Sequence, residues 1–171
     1  MNETMKSIFA RRSCKAYKDE KLPIDVVKQI LVAGTKAPSA LNKQSASIIC
    51  IDNDSILELL RNNLIDFVGK DPFYGARTIA IVVADNTTKH AIKDGSCVLE
   101  NMFIAATSLG VGSCWINCLH DYFATEEGHN FKVNVLKLKD HEITVGTCAL
   151  GYPVEDIIPE KPKKDNYIRI I

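Results

Sequence analysis

Arg11, Arg12, Ser13 and Lys15 place three cations and a hydroxyl within five residues, directly behind the apolar turn around Ile8 and Phe9. Such a cluster can grip a doubly negative group such as a phosphate, because arginine forks and hydroxyls supply converging donors. Taken alone it is equally an ordinary solvated surface, which charge runs usually are. Residues 38–44, reading PSALNKQ, add hydroxyl and amide groups in a Pro-broken loop.

Other chemistries find less support. Cys14, Cys50, Cys97, Cys114, Cys118 and Cys148 sit mostly among apolar neighbours and form no CxxC pair. They read as reduced, packed thiols rather than a disulfide framework. Cys114, Cys118 and His120 have metal-like spacing but lack a fourth ligand, so no metal is expected. Gly110-Val111-Gly112 leads from a helix into a strand, the reverse of a dinucleotide-binding turn, and the third glycine is missing. It reads as a helix C-cap. There is no P-loop, GxSxG elbow or HExxH, and His90, His120, His129 and His141 are scattered.

The chain has 171 residues, enough for one well-buried core and short for two. Its 21 basic residues balance 21 acidic ones, which argues against bulk electrostatic attraction to nucleic acid or a membrane. No run approaches the roughly 18 apolar residues of a membrane span, and the start lacks the apolar centre of a signal peptide. A cytoplasmic location is the expectation.

Hydrophobic spacing predicts a short helix near 3–11 and a second over 24–34, opened by Pro23. A strand follows at 47–51, an amphipathic helix at 55–68, and a strand at 78–85 that is apolar throughout and so buried on both faces. The helix predicted over 89–110 carries Val98, Leu99, Met102, Phe103, Ile104, Ala105 and Leu109, nearly all the way round. It must be covered on all sides, and a second subunit could supply part of the cover. Strands at 111–117 and 140–153 precede a Pro-broken, basic tail with an apolar end. The expectation is one α+β domain over residues 1–171, with strands interleaved by long helices.

Four stretches, in order, resemble the FMN-dependent nitroreductase family. They are RRSCKAY at 11–17 followed by Pro23, APSALNKQ at 37–44, NMFIAATSLGVGSCWI at 101–116, and GYP at 151–153 followed by KPKK at 161–164. Each motif alone is weak; four in order over nearly the whole chain are specific. Two positions depart from the pattern. Ser45-Ala46 replaces the usual Pro-aromatic pair, and Arg77 replaces the proline of Ala-Pro; both bear on the substrate pocket.

The resemblance implies a sheet flanked by helices in an intertwined homodimer, with FMN at the subunit interface. It implies that Arg11, Arg12 and Ser13 bind the FMN phosphate and ribityl chain, and that Lys15 reaches the flavin N1/O2 edge. From the second subunit, Pro38, Ser39, Ala40, Asn42 and Gln44 would line the flavin. Trp115, Ile116 and Asn117 would follow the ring, with a backbone N–H toward N5. Lys161 and Lys163 would complete the phosphate clamp, with Lys164 and Arg169 as other occupants. The implied activity is ping-pong hydride transfer from NADH or NADPH, through flavin N5, to a nitroaromatic, quinone or similar small acceptor. No side-chain acid or base is demanded by that chemistry. Other readings on the same fold are a dehalogenase-like or flavin-fragmenting enzyme, whose lid could use only 62–77 or 120–137, and a non-catalytic FMN-binding module.

Overall fold

Four strands form one antiparallel sheet in the order β1-β2-β4-β3: β1 is Ala46–Ile51, β2 Thr78–Asp85, β3 Gly112–Ile116 and β4 Glu142–Gly151. These positions come from a computed structural model, which describes residues 1–155 and 159–171. β2 is a β-branched and alanine run, buried along its length except at its last residue. Its two faces therefore both need cover, and helices provide it.

On one face Ile79, Ile81 and Val83 meet Leu57, Leu60 and Leu64 of α3 (Asp54–Val68), Leu119 and Tyr122 of α5 (Cys118–Tyr122), and Phe131 of α6 (Glu126–Asn134). On the other, Ala80, Val82 and Ala84 meet Val27 and Ile30 of α2 (Ile24–Gly34) and Leu99, Met102 and Phe103 of α4 (Ala91–Ser108). The small residues of β2 face the long helix, which lets α4 approach the sheet closely. α1 (Glu3–Ala10) contacts α4 but buries none of its own residues, leaving Met5, Ile8 and Phe9 exposed.

The helix ends follow local chemistry. Asn2 and Asn53 side chains accept the Met5 and Ile56 amides at the starts of α1 and α3. α3 stops at Gly69 (φ 79°), and α4 gives way at Gly110 (φ 70°), where the expected C-cap stands. Sequence spacing did not predict α5 or α6. α6 buries only Gly128, Phe131 and Lys132, so it has no continuous apolar stripe to detect. The two stretches considered for a lid, 62–77 and 120–137, are largely packed: most of 120–134 is helical, and 62–68 completes α3.

The cover around α4 is incomplete within one chain. Ile92 is 50% exposed and Leu109 38%, while Ile104 and Ala105 are half-buried. Among the described residues, no helix is long and apolar enough to cross a membrane.

One irregularity shapes the α4 side. Val82 pairs with Gly146 and Val83 with Thr144, so Val145 is an extra residue in β4. It packs into the α4 layer opposite Gly95, where an added Cβ would lie 2.6 Å from Val145 Cγ2. Valine at 95 gains little helix propensity over glycine, whereas overpacking against a stiff β-branched neighbour costs more. Gly95→Val is expected to lower stability by about 2 kcal/mol or more, read as a lower urea midpoint with an unchanged slope.

Candidate functional site

Beyond α1 the chain turns and runs beside the free edge of β3. The Cys14 amide donates to the Ser113 carbonyl at 2.8 Å, and Ser13 and Ser113 form a parallel bridge. Tyr17 pairs with Pro153 and donates its hydroxyl to the Ala149 carbonyl at 3.1 Å. Cys14 points into the core, so by strand alternation its neighbours Ser13 and Lys15 face outward; the alternation ends there, with Ala16 also exposed and Tyr17 turned back inward. A cavity of about 680 Å³ opens there, with Arg11, Arg12, Ser13 and Lys15 on one wall and Lys161 and Lys163 from the tail on another. Glu155 and Glu160 also line it. Lys164 instead lies over the Tyr167 ring, 5.3 Å from its centroid, and neither Lys164 nor Arg169 reaches the lining.

The two arginines are differently engaged. Arg12 donates to the Phe9 carbonyl at 2.7 Å and the Arg11 carbonyl at 2.9 Å, and pairs with Glu160 at 3.0 Å. It closes the end of α1. Among the described residues Arg11 has one long ion pair, 3.7 Å to a half-exposed Glu100, a contact worth about 1 kcal/mol at most. Its guanidinium is therefore the one readily redirected to an anion.

Lys15 lies 5.8 Å from the centroid of the Tyr74 ring. Tyr74, with φ of 54°, is presented by a rigid turn. Asp71 accepts the Phe73 and Gly75 amides, while Arg61 pairs with Asp71 and donates to the Ala76 carbonyl at 2.6 Å. Arg77, where the resemblance led to proline, reaches Asp19 at 3.0 Å and Asp54 at 3.5 Å on the surface.

A smaller cavity of about 160 Å³ lies between α4 and β3, with Arg11, Glu100, Phe103, Ser113 and Trp115 among its walls. The Ser113 hydroxyl is buried and has no hydrogen-bond partner among the described residues. Spacing gave no hint of Glu100, Ser113 or Tyr74; only the fold brings them beside the cationic stretch. Trp115 is 40% exposed and tilts against Phe103 at 6.0 Å, whereas Ile116 points to the opposite face and Asn117 is exposed. Ile116 can thus offer a ligand only its backbone.

Residues 38–44 line neither cavity. Within one chain they stand apart from the cationic stretch, with Pro38, Asn42 and Gln44 exposed and Ser39 and Ala40 half-buried. Their backbone is unusual: Leu41, Asn42 and Gln44 have φ of 55°, 52° and 49°. Left-handed conformations of non-glycine residues cost of order 1–3 kcal/mol each and persist only where surroundings enforce them.

The buried and half-buried thiols, Cys118 among them, are held in their protonated form at neutral pH. Burial pushes Cys14, Cys114 and Cys148 above the ordinary thiol range, and Cys50 up to about 11. Among the described residues, no group of three or more His, Cys, Asp or Glu side chains is placed to hold a metal ion.

Gly146 makes room for the Trp115 ring, since a Cβ there would lie 2.6 Å from two of its atoms. The ring is part-exposed and can swing outward, unlike Val145. Gly146→Ala is therefore expected to displace the chain's one tryptophan. The measurement is intrinsic fluorescence, which should shift to longer wavelength; an unchanged spectrum would mean that β4 had moved instead.

Comparison with known proteins gives this geometry a context. The Nitroreductase family model matches residues 8–152. A nitroreductase crystal structure with bound FMN from Bacteroides fragilis superposes with a TM-score of 0.91 and 32% identity, covering 100% of both chains. A protein of Archaeoglobus fulgidus, provisionally described as an NADH dehydrogenase/NAD(P)H nitroreductase, is 28% identical over 91% of this chain and 88% of its own length. The FMN reductase [NAD(P)H] of Bacillus subtilis is 29% identical over 95% of this chain and 70% of its own length. With a family match across most of its length and a fold shared end to end with such a structure, this chain belongs to the nitroreductase family.

Proposed function

We propose that this chain is an FMN-dependent NAD(P)H oxidoreductase acting on a small acceptor of the nitroaromatic or quinone type. The observation that carries the reading is the cavity at which the opening stretch and the tail converge. Its volume, about 680 Å³, lies in the range of small-ligand sites. Its donor set suits a phosphate monoester: Arg11, Arg12, Lys15, Lys161 and Lys163 bring five cations, of which Arg12 is already engaged at the end of α1, and Ser13 brings a hydroxyl. Glu160 weakens that field only partly, because Arg12 already engages it. The neighbouring orphaned Ser113 hydroxyl is a further group that a polar ligand could satisfy. The FMN-bound relative and the FMN reductase named above support the same cofactor.

When bound, FMN supplies acceptance of a hydride from NADH or NADPH and its delivery to the acceptor. The residues of the chain bind and orient. Arg11 exchanges its weak Glu100 pair for the phosphate, and Lys161 and Lys163 close over it from the tail. Lys15 places a fixed cation where negative charge gathers on the flavin pyrimidine edge during hydride uptake, which stabilises that charge without reorganisation. Trp115, the Ile116 backbone and Asn117 flank the ring. Pro38, Ser39, Ala40, Asn42 and Gln44 cover its other side from a second copy, which accounts for their separation from the cationic stretch within one chain. In this homodimer the second copy also covers the open strip of α4. Donor and acceptor use one open face in turn, so ping-pong kinetics are expected. Residues 1–171 are taken as a single FMN-binding domain of a cytoplasmic protein.

Purified protein is expected to take up FMN and to show oxidised-flavin absorbance that bleaches anaerobically with NADH or NADPH. Arg11→Ala and Lys15→Ala should each weaken FMN binding roughly 10- to 100-fold, the range for a lost hydrogen bond to a charged group. Arg12→Ala should affect binding less than Arg11→Ala, because its guanidinium serves the end of α1. A colourless protein that takes up no FMN would overturn the reading; flavin uptake without turnover would leave a binding module.

A further inference from the structure

Asp94 sits in the first turn of α4, 6% exposed, outside every feature that pointed to the site. A buried carboxylate requires compensating donors. The helix N-terminus supplies a favourable field, but the hydrogen bonds come from far along the chain. One oxygen accepts the Ala40 amide at 3.0 Å, and the other accepts the Ser45 hydroxyl at 3.1 Å. These two donors bracket the three left-handed residues Leu41, Asn42 and Gln44. The loop also ties itself across the middle, with the Gln44 amide donating to the Ser39 hydroxyl at 3.0 Å.

We propose that Asp94 is a positioning residue for the flavin site: its carboxylate clamps both ends of the loop at 40–45 and holds its strained backbone in the shape that covers FMN in the second copy. The inference rests on the FMN reading above. Strain explains why a clamp is needed. Within its own chain Leu41 is 87% exposed, so no packing there holds it and its conformation is enforced from the loop's base. Without Asp94 the loop relaxes toward ordinary backbone angles, and Ser39, Ala40 and Asn42 lose their fixed places. The rest of α4 keeps its packing, because Leu99, Met102 and Phe103 contact α2 and the sheet independently of this carboxylate.

The test uses the full chain with three variants, Asp94→Ala, Asp94→Asn and Ser45→Ala. The first readout is FMN affinity, by quenching of free FMN fluorescence. The second, without FMN, is the rate of trypsin cleavage after Lys43 in the loop, compared with cleavage after the exposed Lys139 elsewhere. Asp94→Ala is expected to weaken FMN about tenfold or more, as loss of charge-assisted bonds would, and to accelerate cleavage at Lys43 but not at Lys139. Asp94→Asn keeps an oxygen for the Ala40 amide but loses the charge, so both readouts should lie between those of Asp94→Ala and the wild type; Ser45→Ala, which removes one of the two donors, should also lie between. Equal acceleration at Lys43 and Lys139 would overturn the proposal, since Asp94 would then serve only general stability. Unchanged FMN affinity in Asp94→Ala, beside a wild-type chain that binds FMN, would overturn it as well. A wild-type chain that binds no FMN defeats the functional reading instead, and the cleavage ratio then decides whether Asp94 clamps the loop.

Discussion

The hydrogen bond from the Cys14 amide to the Ser113 carbonyl fixes the opening stretch to the edge of β3. Much else depends on it. With Cys14 driven into the core beside that bond, its neighbours Ser13 and Lys15 are turned outward. Arg11 and Ser13 emerge beside the helix α4 and the strand that carries Trp115. A surface run of cations becomes one wall of a cavity because a few backbone bonds convert it into strand-like structure. The same residues on a free terminus would be solvated charges with no fixed neighbours.

The sheet supports this edge through close packing that relies on small residues. Alanines at 80 and 84 and glycine at 95 let α4 approach β2 and β4, and the extra residue Val145 fills the space between. Gly146, its neighbour, leaves room for the Trp115 ring. One irregularity in β4 thus sets both how α4 sits and where the tryptophan lies. Because the interior is close-packed, α4 cannot shift without Val145 adjusting, whereas the part-exposed Trp115 ring keeps room to move.

Long apolar patterns were legible in the sequence. β2 is recognisable from its unbroken run, α3 and α4 from their spacing, and the α4 terminus from Gly110. α5 and α6 were not, because five- and nine-residue helices with few buried positions carry little periodic signal. The cationic stretch and the tail lysines could be named from sequence, but with some 150 residues between them their convergence followed only from the family resemblance and not from spacing. The different commitments of Arg11 and Arg12 were also hidden: adjacent identical residues differ only through carbonyls supplied by α1. The left-handed backbone at Leu41, Asn42 and Gln44 was invisible because no glycine marks it. Ser45, a departure from the family pattern, acquires a partner in Asp94 only once α4 is in place.

The strand order carries a consequence for how the chain comes to be folded. β4 lies between β2 and β3, yet it is the last strand made, at Glu142–Gly151. Until it arrives, β2 has one partner, and β3 has none in the sheet. The two helical layers then have no complete floor to pack on, and the apolar surface of β2 stays partly open. Pairings this distant along the chain slow folding, because the loop must close before any contact rewards it. Synthesis on the ribosome must therefore have passed Gly151 before the core can close. From β2 until then the growing chain displays an unpaired, apolar strand edge of the kind that chaperones bind.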